Sequence, residues 1–126
     1  MNTSEARTLW AEALESGEYE QTKSVLEDEE GFCCLGVACV VAEEWGIKVN
    51  RHRDTDELVG EDLDEQPAVQ WWLGLKDEEG SFKLHPKTEG GVRTSSSLVH
   101  LNDGGHRTFA ELAAIIRAEP KGLFNE

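Results

Sequence analysis

Three cysteines, Cys33, Cys34 and Cys39, lie within one apolar stretch of this 126-residue chain. Their spacing contains no C-x-x-C pair of the kind that binds zinc, and an odd number cannot form a framework of paired disulfides. A reactive thiolate requires a lowered pKa, whereas the neighbours of these cysteines are apolar. We therefore predict that all three are buried core residues in a reducing compartment. A nucleophile made by Cys33 or Cys34 with His100 or His106 requires the fold to bring them together.

The loop at 102–107 is the richest polar cluster in the chain. Its two glycines allow backbone amides to turn towards a ligand, and it leads into the positive N-terminus of the last helix. Asn102, Asp103, His106 and Arg107 are therefore candidate ligand-binding residues, with Arg107 facing an anion. The alternative is a connecting turn in which Asn102 and Asp103 hydrogen-bond to their own backbone.

A short basic patch runs from Lys48 to Arg53 in an otherwise acidic protein. Arg51 and Arg53 are candidates to receive the phosphate of a small, nucleotide-like molecule. The alternative is that these bases balance the acids that follow them, beginning at Asp54.

Two adjacent tryptophans, Trp71 and Trp72, fall within a short helical pattern. Neighbouring residues on a helix point roughly 100° apart, so we expect one ring to enter the core. The other is a candidate to line a groove or to anchor a partner. The alternative is that both rings fill the core.

Acidic residues dominate the charge of the chain: 26 acids against 12 bases give a formal net charge of −14. This balance argues against direct binding to nucleic-acid phosphates or to an anionic membrane, because both require a basic face. The acids are concentrated at 27–30, 54–65 and 77–79. They indicate either a solvated surface or a mimic of a nucleic-acid backbone that occupies a DNA-binding protein.

Motifs of the common enzyme classes are missing, including G-x-S-x-G, the Walker loop and the dinucleotide fingerprint, and the four histidines lack metal-ligand spacing. We therefore predict a non-enzymatic protein without a cofactor or metal. The longest uncharged apolar run, 32–42, is much shorter than the ~20 residues that span a bilayer. The N-terminus lacks a basic flank and an apolar stretch, which predicts a cytoplasmic location rather than secretion.

Apolar periodicity predicts about four helices within one domain, 1–126, since a domain typically has roughly 100–200 residues. Helices are expected from Ser4 to Gly17, Cys33 to Trp45, Gln66 to Leu73, and from Thr108 to Pro120, with a short turn of helix at 98–101. The segment 33–45 has almost no polar face and should be central. Gly36 within it indicates close approach of another backbone.

The segments between these helices are more polar. We expect an exposed loop at 27–31, an ambiguous strand or irregular segment at 18–26, and short strands at 47–49, 58–59, 81–85 and 92–94. Together these predict an α+β fold: one small domain with about four helices around the central helix 33–45 and a few short antiparallel strands.

Several segments together resemble a family of small proteins encoded by bacteriophages, prophages and some bacterial genomes. The matching segments are W-x-x-A-L-x-S-G-x-Y-x-Q at 10–21, F-C-C-L-G-V at 32–37, W-L-G-L at 72–75, L-x-x-L-N-D at 98–103 and T-F-x-E-x-A-x-x-I at 108–116. No activity is established for that family, so the resemblance transfers no site residue. It implies an accessory protein of phage origin in a bacterial cytoplasm, where such proteins often act on host machinery or defence.

These observations favour a non-enzymatic accessory protein that binds and neutralises a host component through an acidic, aromatic-bearing surface. Two alternatives stay open. One is sequestration of a small, nucleotide-like signal in a pocket near 102–107, and the other is nucleic-acid mimicry. A homo-oligomer is compatible with each of them.

Overall fold

A computed structural model of the protein describes residues 2–83 and 95–125. Its elements, in chain order, are α1 (Thr3–Glu15), β1 (Glu27–Asp28), β2 (Gly31–Phe32), α2 (Cys34–Glu44), a 3-10 turn (Leu63–Glu65), α3 (Pro67–Leu73), β3 (Ser81–Lys83), β4 (Ser95–Ser97), α4 (Leu98–Asp103) and α5 (Phe109–Ala118). The predicted α+β class is confirmed, and the short turn expected at 98–101 is a helix in its own right.

Helix α2 is the centre of the structure. Eight of its residues are buried, namely Cys34, Leu35, Gly36, Val37, Ala38, Cys39, Val41 and Ala42. Helices α1, α3 and α4 pack on it, and α5 packs along α1. The expected central helix is therefore confirmed, and its lack of a polar face is explained by neighbours on several sides.

Close backbone packing is confirmed at Gly36. A β-carbon built on this glycine would overlap the carbonyl oxygen of Leu26. That carbonyl accepts a hydrogen bond from the Cys33 amide at 3.1 Å, and the Leu26 side chain is fully buried. The ambiguous segment before Glu27 is thus irregular chain that crosses directly over the start of α2.

The prediction of an exposed loop at 27–31 is wrong, because β1 and β2 form an antiparallel hairpin there. The Asp28 carboxylate closes its turn by accepting hydrogen bonds from the amides of Glu30 and Gly31, at 2.9 and 3.2 Å. The run of acids suggested solvated chain, but one of them organises the local backbone.

The prediction of a strand at 47–49 is also wrong. These residues are irregular, and the chain just after them forms one isolated antiparallel bridge, from Arg51 to Leu58. The buried side chain of Gln66 takes the place of a neighbouring strand. Its oxygen accepts from the Asn50 amide at 2.7 Å, and its nitrogen donates to the carbonyls of Asn50 and Val59 at 2.8 and 3.0 Å.

Strand β3 pairs with β4, so the strand expected to begin at Ser81 is confirmed over its first three residues. The rest of that prediction, and the expected strand at 92–94, lie outside the described residues.

The last helix has the predicted capping box between Thr108 and Glu111. Helix α1 begins earlier than expected, because Asn2 caps it instead of Ser4.

The Gly36 contact gives a test of the packing around α2. We expect Gly36→Ala to lower the free energy of unfolding by at least about 2 kcal/mol, because a carbonyl oxygen blocks the added methyl group. Urea denaturation measures this change. The control is Gly104→Ala, where the nearest side-chain atom, Cε1 of His100, would lie 3.5 Å away and φ is −96°. Equal stability of the two variants would contradict the close approach.

Candidate functional site

The two adjacent tryptophans of α3 have opposite environments. Pro67 begins this helix, and Gly74, with a φ of 71°, ends it. Trp72 is 6% exposed and packs in the core, whereas Trp71 is 82% exposed. The expectation that one ring enters the core is therefore confirmed. Because the buried ring fixes the helix, it also fixes the position of its exposed neighbour.

Trp71 borders a groove of about 570 Å³, here called the Trp71 groove. Its lining consists of Asn2, Thr3, Arg7, Trp71, Trp72, Gly74 and Asn125. The groove thus lies where the start of α1, the end of α3 and the C-terminal segment meet.

Arg7 joins the elements beneath this groove. Its Nε donates to the Leu73 carbonyl at 2.8 Å, its Nη1 pairs with Glu119 at 3.1 Å, and its guanidinium lies 3.7 Å from the centroid of the Phe124 ring. Burial lowers the pKa of Arg7, while the Glu119 carboxylate opposes that effect. Arg7 is therefore a structural link between α1, α3 and the C-terminal segment.

A second exposed tryptophan, Trp45, lies at the end of α2 and is 56% exposed. It borders a groove of about 310 Å³, here called the Trp45 groove, which is lined by Ser4, Glu5, Thr8, Leu9 and Trp45. This ring is not among the candidate binding residues that the sequence predicted. The signal that could have found it is its position after Glu43 and Glu44, beyond the apolar part of the helix.

A smaller groove of about 120 Å³ lies between these two. It shares Ser4 and Thr8 with the Trp45 groove and Arg7 with the Trp71 groove. The N-terminal half of α1 therefore carries a run of adjoining grooves with an exposed tryptophan at each side. We call this region the α1 surface.

Asn102 is not available to a ligand, which corrects the first of the loop predictions. It is fully buried. Its side-chain oxygen accepts hydrogen bonds from Gln21 Nε2 at 2.8 Å and from the backbone amide of Cys34 at 3.2 Å. Its nitrogen donates to the Thr22 carbonyl at 2.9 Å and to Asp103 at 2.8 Å. The residue thus joins α4, the start of α2 and the segment 21–22.

The rest of the loop forms a connecting turn held against the segment 21–23. The Arg107 carbonyl accepts from Gln21 Nε2 at 2.8 Å, and His106 Nδ1 contacts Lys23 Nζ. The Arg107 guanidinium, two residues before α5, pairs with Glu111 in the first turn of that helix at 3.5 Å. None of the grooves described above is lined by residues 102–107. The geometry favours a connecting turn over a ligand pocket near 102–107, but Asn102 bonds to distant segments and not to its own backbone as the turn alternative expected.

Arg51 is engaged in ion pairs, which corrects the prediction of a phosphate site. Its Nη2 lies 2.8 Å from Glu43 and its Nη1 lies 3.2 Å from Glu27 and 2.7 Å from the Asp56 carbonyl. The hydrogen bond to Glu43 raises the pKa of Arg51 and lowers that of the Glu43 carboxyl. Arg51 therefore links α2, the hairpin and the acidic loop. Its charge is balanced, but by carboxylates that precede it in the chain, Glu43 and Glu27, and not by the acids after Arg53 that the charge-balancing alternative named. Arg53 is exposed two residues further on.

The three cysteines are buried, as predicted. Burial raises the pKa of Cys33 to about 12 and raises those of Cys34 and Cys39 well above the ordinary value. The Cys33 sulfur accepts the Gly36 amide at 3.4 Å, and the Cys34 thiol donates to the Leu98 carbonyl at 3.8 Å. Burial and these backbone hydrogen bonds indicate that the thiols have a structural role. Within residues 2–83 and 95–125, no cluster of three His, Cys, Asp or Glu side chains is positioned to hold a metal ion.

Two of the acidic runs meet in space. A groove of about 470 Å³ is lined by Gly60, Glu61, Asp62, Asp64, Glu65 and Glu78. The two segments are joined by a hydrogen bond from the Leu63 amide to the Glu78 carbonyl at 3.0 Å. This acidic groove contributes a concentrated negative field to one part of the surface.

Removal of the Asn102 side-chain carboxamide tests whether the polar cluster around Asn102 is closed to solvent and ligands. We expect Asn102→Ala to cost about 3 kcal/mol of unfolding free energy, because the Cys34 amide and the Thr22 carbonyl lose a buried partner. Chemical denaturation measures the loss. Asn125→Ala, at an exposed position, is the control and should change stability by less than about 0.5 kcal/mol. A cost equally small for Asn102→Ala would indicate a solvated, open site.

Thiol burial predicts slow chemical modification. In the native protein we expect the three cysteines to resist a thiol reagent such as dithionitrobenzoate at pH 8, because the thiolate form is suppressed and sterically covered. All three should react in concentrated urea. The control is Glu29→Cys, which adds one exposed thiol to the hairpin turn and should react at once. Rapid reaction of a native cysteine would contradict its burial.

No helix among the described residues is long and apolar enough to cross a membrane. No protein with a curated description and no solved structure is significantly similar to the chain. A family profile matches residues 1–120, nearly the whole length, and it describes a domain of unknown function, DUF8296. Because this profile covers nearly the whole length, the chain belongs to the DUF8296 family.

Proposed function

We propose that this protein is a non-enzymatic accessory protein of phage type that binds and neutralises a basic host protein in the bacterial cytoplasm. The observation that carries the proposal is Trp71, 82% exposed at the edge of a 570 Å³ groove. The phage setting rests on the sequence resemblance described above.

An exposed tryptophan on a fixed helix is suited to anchor a partner. Tryptophan is enriched among the few interface residues that supply most of the binding energy. Trp71 is held by a helix whose other tryptophan, Trp72, is buried in the core. Little conformational freedom is lost when such a ring is covered, so more of the burial free energy is available for binding.

Charge favours a basic partner. The net charge of −14 produces a long-range field that attracts cationic surfaces and repels small anions. The acidic groove at 60–65 adds to this field. Complementary charge chiefly accelerates encounter and selects the partner, while the tryptophan supplies the short-range contact.

Sequestration of a small molecule is the second candidate. The volume of the Trp71 groove, about 570 Å³, lies within the range of about 300–1,000 Å³ that is typical of ligand pockets. Its one cationic side chain, Arg7, is already bound to Glu119 and lies over Phe124. An anionic, nucleotide-like ligand therefore has less support than a basic protein.

Affinity capture with matched baits tests the proposal. The Glu29→Cys protein is biotinylated at its added thiol, immobilised, and exposed to bacterial lysate, with and without Trp71→Ala. We expect a basic protein to be retained by the first bait and lost from the second. With the purified partner, Trp71→Ala should weaken binding about 30-fold or more, as truncation of a central anchor does. Lys76→Arg, an exposed change just beyond α3 that keeps the charge, should leave binding unchanged.

Stability measurements separate binding from folding. Trp71→Ala should retain the melting temperature because the ring is solvent-exposed, whereas Trp72→Ala should lose about 3–5 kcal/mol. Unchanged capture by the Trp71→Ala bait would contradict the proposal. A bait that retains only a nucleotide-like small molecule would favour the second candidate, and loss of self-association on Trp71→Ala would identify an interface between copies instead.

A further inference from the structure

The Trp45 groove combines an aromatic wall with a negative rim. Trp45, 56% exposed, faces the first two turns of α1 across a space of about 310 Å³. Leu9 adds an apolar side chain, Ser4 and Thr8 add hydroxyl groups, and Glu5 adds a carboxylate. The groove therefore offers apolar surface, an indole and one negative charge within a single concave space.

The end of α2 adds a further negative field at this position. The last turn of α2 contains no basic residue and ends in Glu43 and Glu44, directly before Trp45. The C-terminal end of the α2 dipole is itself negative, while the N-terminal end of α1, where Ser4 and Glu5 lie, is positive, so the negative charge in the groove comes from the carboxylates and from α2. Glu43 is compensated by Arg51, but Glu44 and Glu5 are on exposed positions.

We propose that the Trp45 groove binds a lysine or arginine side chain of the partner. The proposal rests on the proposed function and names the chemical group that the α1 surface recognises. A cation on an aliphatic stem matches each part of the groove: the stem lies along Leu9 and the indole, and the charge meets the ring and the Glu5 carboxylate. Tryptophan is the side chain that binds cations most strongly through its ring.

Glu5 is suited to a selective substitution. It forms the capping box of α1 with Asn2. The backbone N–H of Asn2 donates a hydrogen bond to the Glu5 carboxylate at 3.4 Å, and the Asn2 side-chain oxygen accepts one from the backbone N–H of Glu5 at 2.8 Å. Glutamine preserves a capping box, so Glu5→Gln removes the charge while it retains the helix start. Glu12→Gln removes the same charge from the same helix, at an exposed position outside the groove.

The test uses tetralysine amide and follows the indole N–H signals of 15N-labelled protein by NMR in 0.15 M salt, where long-range attraction is screened. Trp45→Phe and Trp71→Phe assign the two exposed tryptophans. We expect a saturable shift of the Trp45 signal by tetralysine. We expect none by the same peptide acetylated at every Nε and at its N-terminus, which keeps the stems but carries no charge. Glu5→Gln should weaken binding about two- to five-fold, the range of an exposed ion pair. Glu12→Gln should weaken it less.

Three outcomes overturn this inference: an equal response to the acetylated peptide, equal weakening by Glu5→Gln and Glu12→Gln, or a shift confined to Trp71. If partner capture still depends on Trp71 while Trp45 does not respond to tetralysine, the groove assignment fails and the proposed function stands. If Trp45 binds the peptide as expected but Trp71→Ala captures the same proteins as the parent bait, the proposed function fails and the cation site stands.

Discussion

The carboxamide of Asn102 holds together the part of the fold on which the rest is built. Its four hydrogen bonds connect α4, the first amide of α2 and the segment that enters the core before the hairpin. In the fully buried environment of this side chain, each of these bonds replaces water that cannot reach the site. One polar side chain therefore fixes the start of the central helix relative to α4 and to the segment 21–22, in addition to the apolar contacts around α2.

Local signals predicted most of the helices. The capping box of Thr108 and Glu111 and the glycine that ends α3 lie within a few residues of the structure they specify, so they are visible in the sequence. The close approach at Gly36 was also predictable, because glycine inside an apolar helix is costly unless a neighbour requires the space. The hairpin at 27–32 was hidden, since its turn is closed by the same acids that suggested solvated loop.

Interactions between distant segments account for what the sequence did not reveal. Gln66 replaces a strand by bonding to Asn50 and Val59, and nothing in its local pattern indicates that role. Arg51 belongs to an apparent basic patch, yet Glu43 and Glu27 neutralise it in three dimensions. Periodicity showed that Trp71 and Trp72 diverge, but only the packing of α3 on α1 and α2 decides which ring is left in water.

Residues close to both chain ends, Asn2 and Asn125, line the Trp71 groove. An affinity tag tethered next to Asn2 or Asn125 is held within a few residues of this groove and competes with a partner for the Trp71 indole. A tether only a few residues long produces an effective concentration in the millimolar range, enough to mask a weak external contact without any specific affinity. Labels placed on the hairpin turn avoid this self-occlusion, and a fused segment that reduces accessibility of Trp71 would itself report on the shape of the groove.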